Sequence, residues 1–207
     1  MELLESILSE IAGYIWGVPL IILLFGTHIY LTIKLKFIQR YIFKAIKISF
    51  SKNKEGAGDI SQFGAMATAL AATIGTGNIV GVSTAIAAGG PGAVLWMWLT
   101  GLFGIATKYS EALLSVKYRI VNKDGSMSGG PMYVIERGMN MKWLAILFAA
   151  FTSVSAFGIG NMVQSNSISH MVNEAFNIPF WITGLILTAI TALVILGGIK
   201  SIAKVCE

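Results

Sequence analysis

The chain has 207 residues, of which 55% are hydrophobic and only 12% are charged, with a formal net charge of +5. Soluble domains carry about 25% charged residues, so this composition excludes an ordinary soluble protein and predicts a polytopic membrane protein. The excess of basic residues is better explained by cytoplasmic loops than by nucleic acid, and we expect no nucleic-acid partner. The single cysteine, Cys206, excludes a disulfide within this sequence.

The first apolar run, residues 14–33, is predicted to span the bilayer. Residues 1–13 contain three glutamates and no Lys or Arg, so we expect no cleaved signal peptide. Residues 34–59 then carry seven Lys and Arg residues interleaved with aromatic and aliphatic ones. This pattern is typical of an amphipathic helix that lies on the cytoplasmic leaflet.

The second predicted span, residues 62–88, has a poor helical centre at residues 72–78. Gly75 and Gly77 each cost about 1 kcal/mol of helix propensity, and the hydroxyls of Thr73 and Thr76 compete for backbone groups. One interpretation is a broken helix, whose free N–H groups hold an anion and whose free carbonyls hold a cation. A second is a continuous helix that packs closely through its glycines, and a third is a carbonyl-lined channel filter.

The third span is predicted at residues 93–116, after a tight turn at 89–92. A long loop over residues 117–142 includes a short predicted helix at 132–139. The fourth span, residues 143–172, is apolar in its first half and polar in its second. Its polar residues are Asn161, Gln164, Ser165, Asn166, Ser167, Ser169 and His170. Amides are costly in hydrocarbon, so this half is expected to face protein or water, either as hydrogen bonds between helices or as a site.

A fifth span is predicted at residues 180–197. If the N-terminus lies outside, all 15 Lys and Arg residues of the chain fall on the cytoplasmic side. The positive-inside rule therefore favours five spans with the C-terminus of this chain in the cytoplasm.

Seven motifs along the chain resemble those of one transporter family. They are GDIS at 58–61, ALAATIGTGN at 69–78, GGPGAVLWMW at 89–98, ATKYSE at 106–111, GGPMY at 129–133, FGIGNMVQ at 157–164 and ILGGIKS at 195–201. In this order they resemble the sodium:alanine symporters, the alanine or glycine:cation symporter family. The resemblance covers nearly the whole chain.

The resemblance implies an all-α fold of the leucine-transporter type, in the amino acid–polyamine–cation (APC) superfamily. In that fold two inverted five-helix repeats form the core, preceded in this family by an extra helix. Residues 1–59 would be the extra transmembrane helix with its amphipathic cytoplasmic helix. Residues 60–207 would be four helices of an incomplete first repeat, with the second repeat absent. The span over residues 62–88 would be the helix that is broken at residues 73–78.

The same resemblance implies sodium-coupled symport of a small amino acid, alanine or glycine, across the plasma membrane. The substrate-binding residues would be Thr73, Gly75, Thr76, Gly77, Asn161 and Gln164. Sodium, the coupling ion, would be held by the backbone carbonyls of Ala72 and Thr73 and by the side chain of Asn78. The glycine N–H groups would bind the substrate carboxylate, and Gln164 would add a donor.

Family members are about twice as long as this sequence, so we expect the 207 residues alone to be inactive and poorly folded as a monomer. The alternatives are a non-transporting fragment or one subunit of a split transporter, and a cation channel fits less well. No nucleophile–base pair, metal-spacing cluster or phosphate loop stands out, so we expect no enzymatic activity.

Overall fold

The computed structural model describes residues 2–51 and 58–207, and these ranges are mainly helical. Helix α1 is Glu2–Ile15 and helix α2 is Val18–Lys34, with a proline in the first turn of α2, where its missing N–H costs nothing. Together they form a 30-residue apolar stretch, Glu5–Lys34, that is long enough to cross a membrane. The predicted first span, residues 14–33, lies within it.

After α2 the chain turns sharply, because Lys36 and Phe37 adopt left-handed backbone angles (φ 52° and 58°). A 3-10 helix, Ile38–Tyr41, and helix α3, Ile42–Ser49, follow. The amphipathic helix predicted over 34–59 is therefore shorter than expected, and its residues 52–57 lie outside the described ranges.

The second predicted span is interrupted at its glycine-rich centre. Helix α4 is Gln62–Thr73, and its first turn is capped by Ser61, whose hydroxyl accepts from the N–H of Gly64 at 2.9 Å. A π-helical turn, Gly77–Gly81, leads into helix α5, Val82–Gly89. The two halves are bent by 58°. The interruption predicted at residues 73–78 is therefore present.

Helix α6, Gly92–Lys117, covers the predicted third span and packs on α2. A polar contact joins the two helices: Nδ1 of His28 is hydrogen-bonded to Oγ1 of Thr107 at 2.7 Å. From the 3-10 helix, Nε2 of Gln39 donates to the carbonyl of Leu102 on α6 at 3.1 Å. His28 thus serves a helix–helix contact.

The predicted long loop forms a small hairpin, β1 (Ile120–Val121) and β2 (Met127–Ser128), followed by helix α7, Pro131–Gly138. Oδ1 of Asp124 accepts from the hydroxyl and the N–H of Ser126 at 2.7 and 3.1 Å. Both hydrogen bonds lower the pKa of the Asp124 carboxyl, and the bond from the Ser126 hydroxyl contributes more than the bond from its N–H. Oδ2 of Asp59 accepts from the N–H of Met127 at 3.2 Å, which ties the hairpin to the start of α4.

The fourth predicted span is one continuous helical stretch, Lys142–Phe176. It consists of α8 (Lys142–Ser155), a π-helical segment (Ala156–Met162) and α9 (Val163–Phe176). Helix α10, Phe180–Ile195, packs on α9. The chain then bends by 116° into α11, Gly198–Cys206, which packs on α4.

The described residues contain two helical stretches that are long and apolar enough to cross a membrane, or up to four if each bent pair forms one span. Few side chains are buried: Ala106, Ala145, Ala203, Thr32, Ser169 and Thr183. Most large apolar side chains are exposed, as on a surface that faces lipid or further protein. That the chain has five membrane spans, and that its fold is of the leucine-transporter type, remain predictions.

Candidate functional site: the helix break and Gln164

The break leaves backbone donors available at the start of its second half. Ile74 adopts an extended conformation (ψ 114°), which ends α4. Among residues 58–207, the N–H groups of Gly75 and Thr76, which lie between the two half-helices, donate to no backbone carbonyl. Gly77 opens the next helical turn, where the first N–H groups have no partner within the helix. Successive N–H groups at a helix start form an arrangement that suits an anion.

The first half of the break offers backbone acceptors. The last backbone bond of α4 is from the N–H of Ile74 to the carbonyl of Leu70 at 2.8 Å. Neither Gly75 nor Thr76, the residues that follow in the break, donates its N–H to the carbonyl of Ala72 or Thr73, and the last carbonyls of a helix have no partner within it. Free carbonyls at a helix end are hard oxygen ligands that suit a small cation.

Helix α9 brings an amide side chain to the break. The hydroxyl of Thr76 donates to Oε1 of Gln164 at 2.8 Å, across 88 positions of sequence. A Cβ atom placed on Gly75 would lie 3.6 Å from Nε2 of Gln164, so the absence of a side chain there keeps the amide close to the backbone. The structure therefore unites Gly75, Thr76 and Gln164, three of the predicted site residues.

A groove of about 550 Å³ lies beside this contact, between α9 and α10. Asn161 and Gln164 both line it, as their three-residue spacing indicates. Thr188 and Thr191 of α10 line it as well, and the sequence analysis did not single them out. Two hydroxyl side chains three residues apart on an otherwise apolar helix share one face, and this pattern could have predicted their position in the groove. The residues that line this groove carry no ionised side chain, so backbone dipoles are the main source of charge complementarity here.

Four further predicted residues lie at the break, and among the described residues none of them is hydrogen-bonded to Gln164. The hydroxyl of Thr73 donates to the carbonyl of Ala69 at 2.7 Å, and its side chain lines a separate groove between α3 and α4. The N–H of Asn78 donates to the carbonyl of Gly75 at 3.0 Å. Asn78, Ala72 and Gly77 are exposed. The break therefore presents backbone donors, which suit an anion, on one side and backbone acceptors, which suit a small cation, on the other.

Comparison with known proteins gives this arrangement its context. The family model described as "Sodium:alanine symporter family" matches residues 1–207. An uncharacterized transporter of Haemophilus influenzae is 58% identical over 202 residues, which is 97% of this chain and 44% of the relative. The sodium/alanine symporter of Methanococcus maripaludis is 51% identical over 206 residues, 96% of this chain and 46% of the relative.

A probable sodium/glutamine symporter of Bacillus subtilis is 38% identical over 212 residues, 100% of this chain and 43% of the relative. The chain thus spans less than half the length of these relatives. The resemblance drawn from the seven motifs is confirmed over the whole sequence: the chain belongs to the sodium:alanine symporter family.

Proposed function

We propose that this chain carries the N-terminal part of the substrate and sodium site of a symporter that moves alanine or glycine with Na⁺ across the plasma membrane. The observation that carries the proposal is the 58° helix break whose Thr76 hydroxyl is bound to Gln164 at 2.8 Å. Free backbone groups at membrane depth are tolerated only where they line a cavity or are covered by protein, so such a break indicates a binding site.

In this proposal the free N–H groups of Gly75, Thr76 and Gly77 bind the substrate carboxylate. Their charge complementarity comes from the start of the second half-helix, which carries a partial positive charge. Nε2 of Gln164 lies close enough to Gly75 to donate to the same carboxylate. Asn161, on the same groove, contributes to the polar lining.

Sodium is coordinated by the carbonyls of Ala72 and Thr73, with the side-chain oxygen of Asn78 as a further ligand. All three are neutral oxygen donors, which suit a hard monovalent cation that must be released at each cycle. The substrate carboxylate lies next to this position, so the negative charge of the substrate and the positive charge of the sodium ion stabilise each other. This electrostatic pairing is the physical basis for coupling the two.

The glycines favour a small substrate. A Cβ on Gly75 would already be in contact with Nε2 of Gln164 at 3.6 Å, so the backbone and the amide leave little space between them, and we infer that alanine or glycine fits here. One relative is named for glutamine, so uptake of glutamine is measured beside uptake of alanine.

The test is sodium-dependent uptake of radiolabelled alanine into liposomes. One sample contains the 207-residue chain alone, and a second contains a chimera in which this chain replaces the matching 206 residues of the Methanococcus symporter. We expect uptake by the chimera that is lost when K⁺ replaces Na⁺, and no uptake by the chain alone.

Uptake by the chain alone would show that the remaining length of the relatives is not needed. A chimera that inserts and folds but transports nothing, beside an active parent, would contradict the assignment of these residues to the site. Restored uptake on adding the rest of the relative as a separate polypeptide would identify the chain as one part of a split transporter. Sodium flux that does not need alanine would indicate a channel instead.

A further inference from the structure

The segment between α2 and α4 carries a concentration of positive charge that the transport site does not use. Residues 11–51 contain no Asp or Glu, and their cations are Lys34, Lys36, Arg40, Lys44 and Lys47. The apolar stretch Glu5–Lys34 ends where this charge begins. We call residues 36–50 the basic platform. It starts at the point where a membrane-spanning helix would leave the hydrocarbon.

The basic platform is held in a fixed position against the end of α2. The N–H of Phe37 donates to the carbonyl of Thr32 at 2.8 Å, within the left-handed turn. Nε2 of Gln39 donates to Oγ1 of Thr32 at 3.1 Å and to the carbonyl of Leu102 on α6 at 3.1 Å. Because these contacts anchor its start, the platform has a defined depth relative to α2 and α6.

One face of α3 carries large apolar side chains that pack little against the rest of the chain. Phe43 is 82% exposed, Ile46 is 47% exposed and Ile42 is 42% exposed, and the spacings of three and four to Ile46 place them on one side of the helix. Lys44 and Lys47 lie beside this apolar face and are also exposed. Apolar residues flanked by cations are the pattern of helices that insert at the headgroup level.

A different face of α3 contacts the broken helix. Ile48 and Ser49 line a groove with Met66, Ala69 and Thr73 of α4. The rings of Phe50 and Phe63 lie 6.1 Å apart, and the N–H of Phe63 donates to the carbonyl of Ser51 at 3.2 Å. The platform therefore connects the membrane surface to the first half of the break.

We propose that the basic platform binds the headgroups of anionic phospholipids in the leaflet at which α2 ends. Ile42, Phe43 and Ile46 insert among the upper acyl chains, while Lys44 and Lys47 contact lipid phosphates. The bilayer is the occupant because the platform is continuous with a membrane-spanning stretch and carries charge of the opposite sign to an anionic leaflet. This inference stands independently of the transported substrate.

The experiment follows backbone amide hydrogen exchange of residues 42–50 in the chimera described above, which contains this chain and the rest of the Methanococcus symporter, reconstituted into lipid nanodiscs. One set of discs contains only phosphatidylcholine, and another contains phosphatidylcholine mixed with phosphatidylglycerol. We expect these amides to exchange more slowly in the anionic discs. In the variant Lys44→Gln/Lys47→Gln, the ratio of the exchange rate in neutral discs to the rate in anionic discs should fall by about fivefold for each lysine removed.

The matched control, Lys123→Gln/Lys142→Gln, removes the same charge elsewhere and should keep the wild-type protection. Raising the salt concentration on the unmodified chain gives a second readout that needs no variant, and it should reduce the difference between the discs. Equal exchange in both kinds of disc would overturn the proposal. Protection in the neutral discs on adding inorganic phosphate, but not chloride of equal ionic strength, would also overturn it, because the site would then bind a soluble phosphate.

Discussion

The pattern Gly-x-Gly-Asn occurs twice in the chain, at residues 75–78 and at 158–161, and the backbone follows a different course at each. At the first, α4 ends and the chain bends by 58°. At the second, a π-helical segment carries the chain on, and Lys142–Phe176 remains one continuous stretch. Two glycines and an asparagine are therefore compatible with either a broken or a continuous helix.

The difference lies in what each motif contacts. Gly75 faces the amide of Gln164, and Thr76 donates to that amide. Gly158 and Gly160 have open space where a side chain would be. Gln164 comes three residues after the second motif, in the first turn of α9, so the helix that follows the π-helical segment carries the side chain that contacts the first motif. Wide turns of this kind are frequent at functional sites, because they change which side chains face a neighbouring helix.

The largest expected effect follows from removing the side chain that joins the two motifs. In the chimera described above, Gln164→Leu removes the acceptor for Thr76 and the proposed donor to the substrate carboxylate. Alanine binding should weaken by about 10- to 100-fold, the range for losing a hydrogen bond to a charged group. The measurement is the sodium-dependent Kd for alanine. Asn166→Leu, on the same helix, is the control, and an equal loss there would show that Gln164 has no special role.

The second prediction compares glycines at equivalent positions of the two motifs. Gly75→Leu should weaken alanine binding by about tenfold, because overpacking costs 1–3 kcal/mol and here the added side chain displaces the Gln164 amide. Gly158→Leu adds the same side chain where a Cβ meets nothing within 4 Å, and it should leave binding nearly unchanged. Both Kd values are measured in the chimera. If both variants weaken alanine binding equally, the effect of Gly75→Leu does not come from its contact with Gln164.

The sequence predicted much of this site and little of its geometry. Residues 72–78 stood out because glycine and threonine are poor helix formers within an apolar span, and the polar half of the fourth span pointed to Gln164. Local sequence is equally compatible with a continuous packing helix at the first motif, and nothing in it indicates the π-helical segment at the second. Both motifs enter a π-helical turn, but only the first is bent, and it is the one whose Thr76 contacts a side chain 88 positions away, which no local pattern encodes.

The third prediction isolates that contact. Thr76→Val keeps the shape of the side chain but removes the hydroxyl that donates to Gln164. One neutral hydrogen bond contributes about 1 kcal/mol, so alanine binding should weaken by about fivefold. Thr84→Val is the matched control, because the hydroxyl of Thr84 donates only to the nearby carbonyl of Gly81 on the exposed α5. If Thr76→Val changes the Kd no more than Thr84→Val, the bond does not organise the break.

The fourth prediction has the smallest expected effect and concerns stability instead of binding. It tests whether the two motifs differ when no substrate is present. Gly158→Ala places alanine within a helical segment with room for its methyl group, so the free energy of unfolding should rise by about 1 kcal/mol. Gly75→Ala also fits, with its Cβ 3.6 Å from Gln164, but residue 75 belongs to neither half-helix. Helix propensity therefore brings no gain there.

Both variants can be unfolded by titrating a denaturing detergent into the chimera in mild detergent, with the helical circular dichroism signal as the readout. The expected result is stabilisation by Gly158→Ala alone. Equal stabilisation by both would mean that residue 75 benefits from alanine as a helical residue does. The bend would then need its ligand in order to form, instead of being held open by Gln164 in advance. Preorganisation of the break by a neighbouring amide is the physical claim on which the contrast between the two motifs depends.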